Sequence, residues 1–82
     1  MAYKYPKTPE LIEKLKPFWN EMREAQGRFE NEIAAIESRM HDATGIDGIE
    51  FWTSDMDEGI VGIGTWDRSM ELIHDSELDR DD

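Results

Sequence analysis

The fold is decided by residues 8–45, which read TPELIEKLKPFWNEMREAQGRFENEIAAIESRMHDATG. The stretch opens on Thr8 and Pro9, a capping hydroxyl followed by a ring that suits the first helical position. It closes on Gly45, which suits a left-handed helix C-cap. Between them apolar residues recur at spacings of three and four, close to a heptad seam: Leu11, Leu15, Phe18, Met22, Ala25, Phe29, Ile33, Ile36 and Met40. The pattern predicts an amphipathic helical segment over residues 8–44.

Two residues interrupt this segment, and they leave two arrangements open. Pro17 removes a helical hydrogen bond and Gly27 weakens a helix, but the apolar spacing keeps its phase through both. We therefore favour one continuous helix, kinked near Pro17, over an antiparallel helical hairpin that breaks near Gly27. A continuous helix would be about 50 Å long and would need a second chain to cover its seam.

A second chain is also expected because a chain of 82 residues buries a marginal core. We predict a homodimer, as first choice among oligomers, formed by a coiled-coil seam. The predicted oligomer interface comprises Leu15, Phe18, Met22, Phe29, Ile33, Ile36 and Met40.

The C-terminal half changes to a strand-like pattern. Three β-branched and aromatic runs, at residues 49–53, 60–66 and 70–74, are separated by short Asp-, Gly- and Ser-containing turns. They predict a three-stranded antiparallel meander over residues 46–76, followed by a frayed acidic tail over 77–82. The fold class is therefore α+β in one domain: a long N-terminal amphipathic helix and a small sheet.

Alternation along these strands predicts apolar side chains on both faces of the sheet. Ile49 and Phe51 share one face, to which Ile60 and Trp66 are also assigned, whereas Trp52, Val61 and Ile63 are assigned to the other. Gly62 and Gly64 lie on one face of the middle strand, where an aromatic ring or a helix can approach the backbone closely.

The net charge of −11 belongs wholly to the second half of the chain. Residues 1–40 carry seven basic and seven acidic side chains, whereas residues 41–82 carry two arginines and thirteen acids. Such a charge disfavours direct binding to nucleic acid or to an anionic membrane and favours a basic partner. The absence of cysteine, of a signal-like N-terminal segment and of a long apolar run predicts a cytoplasmic protein without a membrane span.

Candidate chemistry is sparse. The His41-Asp42 and His74-Asp75 pairs are typical of a helix end and a strand end more than of a metal site, and Asp55-x-Asp57-x-Gly59 lacks the spacing of a calcium loop. The sequence has neither a nucleophile elbow nor a glycine-rich phosphate loop. We therefore predict no metal, no cofactor and no enzymatic activity.

The most informative group combines tryptophans with acidic residues. An aromatic ring beside carboxylates suits docking on the Lys and Arg side chains of another protein. The predicted partner-binding residues are Trp52, Asp55, Asp57, Glu58, Trp66 and Asp67. The hypothesis is a non-catalytic inhibitor or adaptor, for example of a nucleic-acid-binding protein and of the kind that mobile genetic elements encode.

The alternative is a small-ligand binder with a pocket between sheet and helix or between subunits. In this interpretation Trp52 or Trp66 supplies a stacking surface, and Arg68 or Lys16 contacts an anionic group of the ligand.

Overall fold

The computed structural model describes residues 3–26, 31–53 and 59–79 of the chain. Two helices come first, α1 at Pro9–Gln26 and α2 at Glu32–Thr44. Strands β1 at Ile49–Thr53, β2 at Ile60–Thr65 and β3 at Ile73–His74 follow, and a short helix α3 at Asp75–Leu78 comes last. The predicted α+β class, with a long N-terminal helix before a three-stranded antiparallel sheet, is confirmed.

The predicted ends of the helical segment are confirmed. The Thr8 hydroxyl accepts a hydrogen bond from the Leu11 backbone N–H at 3.2 Å, and the helix begins at Pro9. At the other end Gly45 adopts a φ of 70°, and its N–H donates to the His41 carbonyl. The capping residues Thr8 and Gly45 therefore set both ends of the helical segment.

The continuous helix is wrong, and the helical hairpin is correct. Arg39 of α2 pairs with Glu21 of α1 at 2.7 Å, although 18 residues of straight helix would hold them about 27 Å apart. Leu15 and Ile36 meet in one core. The helical hairpin is more stable because it buries the apolar stripes of both helices inside one chain, whereas a continuous helix would leave them exposed in a single chain. Gly27, where the break was placed, lies outside the described residues.

The largest buried side chain is Trp19, which the predicted seam omitted. Its ring is 2% exposed and lies 6.2 Å from the Phe51 ring, between centroids, at a tilt of 51°. Leu15, Trp19 and Met22 follow helical spacing and are all buried, whereas Phe18 is only partly buried. The buried stripe of α1 therefore passes through position 19 rather than 18.

The sheet has the order β1-β2-β3 with antiparallel neighbours, as the meander predicts. Phe51 pairs with Ile63, so both side chains point to the helices; the assignment of Ile63 to the face of Trp52 is wrong. The assignment of Trp66 to the face of Phe51 is also wrong, because Trp66 is exposed and lines a surface with Trp52. Register decides this, because pairing Trp52 with Gly62 fixes which face each β2 residue takes. The third strand is also shorter than predicted, since Met70 forms an isolated bridge with Tyr5 instead.

The predicted frayed tail is wrong for residues 77–79. Leu78 is 3% exposed and belongs to the core. Asp79 accepts hydrogen bonds from the Trp19 indole at 2.7 Å and from Arg23 at 2.6 Å. Leu78 and the Asp79 carboxylate hold α3 on α1. The acidic composition of this segment gives no sign of that packing. Residues 80–82 lie outside the described part of the chain.

No helix within the described residues combines the length and the apolar character needed to cross a bilayer.

Candidate functional site

The sheet face that points away from the core carries the candidate site. Glu50 and Trp52 alternate with the buried residues of β1 and lie opposite Gly64 and Gly62 of β2. Because Gly64 has no side chain, the Trp52 ring lies directly on the strand backbone there. A Cβ built at Gly64 would stand 2.9 Å from the Trp52 Nε1 atom. The predicted close approach of an aromatic ring is confirmed at Gly64, whereas at Gly62 the nearest atoms belong to Ile73 and Leu72.

The Trp52 indole N–H is buried, and it has no hydrogen-bond partner among the described residues. A buried donor without an acceptor destabilises a fold by roughly 1–3 kcal/mol. Packing on the glycine backbone therefore holds this ring in place without help from its polar atom.

The second tryptophan is fixed in an exposed position. Trp66 is 71% exposed, yet its backbone N–H donates to the Gly48 carbonyl at 3.1 Å. Gly48 adopts a φ of 73°, and a Cβ there would overlap the indole ring of Trp66. The glycine thus lets one edge of the ring lie against the backbone, while most of the ring faces solvent.

The turn after β2 joins the two indoles. Arg68 takes a left-handed backbone conformation, with a φ of 61°, and its N–H donates to the Thr65 carbonyl at 2.9 Å. Its guanidinium lies 5.9 Å from the centroid of the Trp52 ring. Asp67 accepts the Ser69 backbone N–H at 2.9 Å, and this hydrogen bond lowers the pKa of its carboxyl group. Arginine is uncommon at a positive φ, so the turn carries strain.

These features enclose a shallow depression of about 380 Å³, which we term the Trp66 recess. Its lining consists of Glu50, Phe51, Trp52, Thr53, Trp66 and Arg68. Burial, and secondarily the negative charge of Glu37, raise the pKa of Glu50 above its usual range. The recess thus combines two indole rings, one carboxylate and one guanidinium.

Of the predicted partner-binding residues, the structure brings Trp52 and Trp66 into this recess and places Asp67 in the adjoining turn. Asp55, Asp57 and Glu58 lie outside the described residues. Glu50 was missed, although its alternation with Phe51 along β1 places it beside Trp52. Gly48 was missed as well, because its contact with Trp66 depends on a backbone approach that spacing does not reveal.

The predicted oligomer interface lies mostly inside the chain. Leu15, Met22, Ile36 and Met40 are buried in the core, and Phe18 and Ile33 pack against it. Phe29 lies outside the described residues. This corrects the assignment of the four buried residues to an exposed seam, because the hairpin turns them toward their own sheet.

The two histidines lie in different elements. His41 faces Asp47 at 3.3 Å and Asp42 at 3.6 Å near the end of α2, and His74 belongs to β3. Within residues 3–26, 31–53 and 59–79, no group of three potential ligands is close enough to hold a cation. Lys16 pairs with Glu13 at 3.0 Å on α1 and does not line the Trp66 recess.

Comparison with protein-family models, curated proteins and solved structures finds no match for this chain.

Proposed function

We propose that this chain is a non-catalytic interaction protein that docks the Trp66 recess on a basic surface of a partner protein, as an inhibitor or adaptor. The observation that carries the proposal is the fixed, 71% exposed ring of Trp66. A tryptophan that serves only the fold is buried against other side chains, as Trp19 is.

The surroundings of Trp66 lower the conformational entropy that its side chain would lose on binding. Exposed tryptophans held rigidly lose little conformational freedom on binding and are enriched among the residues that dominate interface affinity. The hydrogen bond to Gly48 holds the Trp66 backbone, and one edge of the indole ring lies against Gly48. Most of the entropic cost of ordering Trp66 therefore arises during folding and not during binding.

The charge of the chain favours a basic partner. The excess of acidic side chains lies in residues 41–82, the part of the chain that builds the recess. A field of one sign over the contact surface accelerates encounter with an oppositely charged protein and makes that rate fall as salt is added.

A retention experiment tests this proposal. The chain is immobilised as wild type, as Trp66→Ala and as Tyr3→Ala, which removes the other large aromatic side chain that is exposed among the described residues. Host extract is passed over each column and eluted with a salt gradient. We expect at least one basic protein to bind the wild type and Tyr3→Ala, to elute early in the gradient, and to be absent from Trp66→Ala. Equal retention by Trp66→Ala, or no retained protein on any column, would contradict the proposal.

A second candidate function is the binding of a small ligand in the same recess. It is favoured by one observation: Trp52, Trp66 and Arg68, a stacking surface and an anion contact, line one depression. A thermal-shift panel of nucleotides, amino acids and divalent ions tests it, since a ligand that binds only the folded state raises the melting temperature. A shift that Trp66→Ala abolishes supports this candidate, and an unchanged melting temperature with every compound rejects it.

A further inference from the structure

The Trp66 recess already holds one guanidinium group. Arg68 places its guanidinium 5.9 Å from the centroid of the Trp52 ring, within the range of a cation–π contact. The chain accepts a left-handed backbone at Arg68 in this arrangement. The outer face of the sheet therefore already holds a guanidinium within cation–π range of an indole.

The second indole of the recess presents the same kind of surface with no cation on it. Trp66 is fixed by Gly48 on one side and is otherwise open to solvent. In the described part of the chain, the cation–π contacts involve Lys4 with Tyr5 and Arg68 with Trp52, and none involves Trp66.

The same recess holds a carboxylate that pairs with no cationic side chain of the described residues. Glu50 lines the recess, and no Lys or Arg among the described residues lies within 4.0 Å of its oxygens. Partial burial already disfavours its charged form, as the raised pKa indicates. A cation that enters the recess would relieve this penalty.

We infer that the Trp66 recess receives an arginine side chain of the basic partner, with its guanidinium flat on the exposed face of Trp66 and its N–H edge toward Glu50. The inference rests on the proposed function, since it names the group by which that partner is recognised. It assigns to Trp66 the contact that Arg68 makes with Trp52.

Arginine fits this geometry better than lysine. A guanidinium is planar and weakly hydrated, so it can stack on an indole and still donate hydrogen bonds from its edge to a carboxylate. An ammonium group is a compact, strongly hydrated charge that gains less from stacking. The recess is also open and small, which suits one inserted side chain more than a fully enclosed ligand.

An anionic group fits the recess less well, even though Arg68 is present. Glu50 lines the same surface, and Asp67, whose pKa is lowered by the Ser69 backbone N–H, stays ionised beside Trp66. The chain as a whole carries a net charge of −11. Repulsion from these carboxylates opposes an anion and attracts a cation.

Nuclear magnetic resonance titration tests the inference on the full chain. The probes are Nα-acetylarginine amide, the corresponding lysine compound, and the citrulline compound, which keeps the shape of arginine without its charge. Each is added to isotope-labelled protein at constant ionic strength. We expect arginine to shift the Trp66 indole and Glu50 amide signals saturably, lysine to bind at least about threefold more weakly, and citrulline to cause no saturable shift.

Two charge-neutralising variants make the test specific. Glu50→Gln should weaken arginine binding by at least about threefold, whereas Glu24→Gln, which makes the same change on exposed α1, should leave it unchanged. Equal weakening by both variants, equal affinity for lysine, or shifts that bypass Trp66 would overturn the inference. If arginine fails in this way while partner retention still requires Trp66, the inference falls and the proposed function stands. If Trp66→Ala also retains the partner, both fall.

Discussion

At the residue scale, the positions that break local rules lie together. Arg68 has a positive φ, Trp66 exposes most of a large apolar ring, Trp52 buries an N–H without an acceptor, and Glu50 is a partly buried acid. All four line the Trp66 recess. Residues that break local conformational or burial rules are expected where a surface serves binding and not stability.

Neutralising Glu50 should stabilise the fold at neutral pH. Burial and Glu37 raise the pKa of Glu50, so the folded chain holds this proton more tightly than the unfolded chain does. The ionised group therefore reduces stability above its folded pKa, and the penalty disappears as the pH falls below the unfolded value. We expect Glu50→Gln to raise the melting temperature at pH 7 and to have little effect near pH 4. A lower melting temperature at pH 7 would contradict the assignment.

Removing the Asp79 carboxylate should destabilise the fold more than removing its charged partner. In Asp79→Ala the buried indole N–H of Trp19 loses its acceptor, which should cost about 1–3 kcal/mol in the free energy of unfolding. Arg23→Ala removes only the more exposed partner and should cost less than about 1 kcal/mol. Urea denaturation measures both, and a larger loss for Arg23→Ala would show that the ion pair matters more than the indole hydrogen bond.

At the element scale, the boundaries of the helices could be predicted from the sequence, but their arrangement could not. The capping residues Thr8 and Gly45 act locally, so their effects are visible in the sequence. Apolar spacing, by contrast, is the same whether a stripe meets a second chain or its own sheet. The choice between Phe18 and Trp19 has the same origin, because only the packing against Phe51 and α3 selects Trp19.

The outer sheet face was only partly predictable. Period-two alternation correctly indicated that a ring approaches the backbone at Gly64, but the face of Ile63 depended on a register that no local signal fixed. Arg68 was identified as a candidate anion contact, yet its left-handed backbone and its stacking on Trp52 depend on the turn geometry. A contact that depends on a glycine, such as that of Trp66 with Gly48, produces no periodic pattern in the sequence.

The two β2 glycines should respond differently to an added methyl group. At Gly62 a Cβ would strike the backbone carbonyl of Ile73, so Gly62→Ala should disturb the β2–β3 pairing and cost about 1–3 kcal/mol or more. At Gly64 it would meet the Trp52 indole, which can shift, so Gly64→Ala should cost less stability but displace the Trp52 indole resonance. Denaturation and indole spectra of both variants check this. Equal destabilisation with an unmoved Trp52 signal would refute the role given to these glycines.

At the scale of the whole molecule, the two halves of the chain share the core but differ in charge. The helical hairpin supplies six of the thirteen core side chains among the described residues, all from residues 1–40, whose charges balance. The acidic half supplies the other seven, together with the sheet and the Trp66 recess. The uneven distribution of charge depends only on the order of residues along the chain, so it could be predicted from the sequence. The placement of the recess on the uncovered sheet face required the fold.

The hairpin also changes the expected assembly state. The side chains predicted to pair between subunits include Leu15, Met22, Ile36 and Met40, which the chain buries by itself. We therefore expect light scattering at micromolar concentration to give the mass of one chain, 9.6 kDa. A mass twice that value would show that another surface, outside these four residues, pairs two chains.

We expect Trp66 to dominate binding to a basic partner, which the dissociation constant of the retained partner measures. Calorimetric titration compares wild type, Trp66→Ala and Tyr3→Ala at one salt concentration. A dominant interface tryptophan contributes at least about 2 kcal/mol, so Trp66→Ala should weaken binding by roughly 30-fold or more. Tyr3→Ala should match the wild type, and both variants should keep the wild-type circular dichroism spectrum. A dissociation constant for Trp66→Ala within about twofold of wild type would contradict the account.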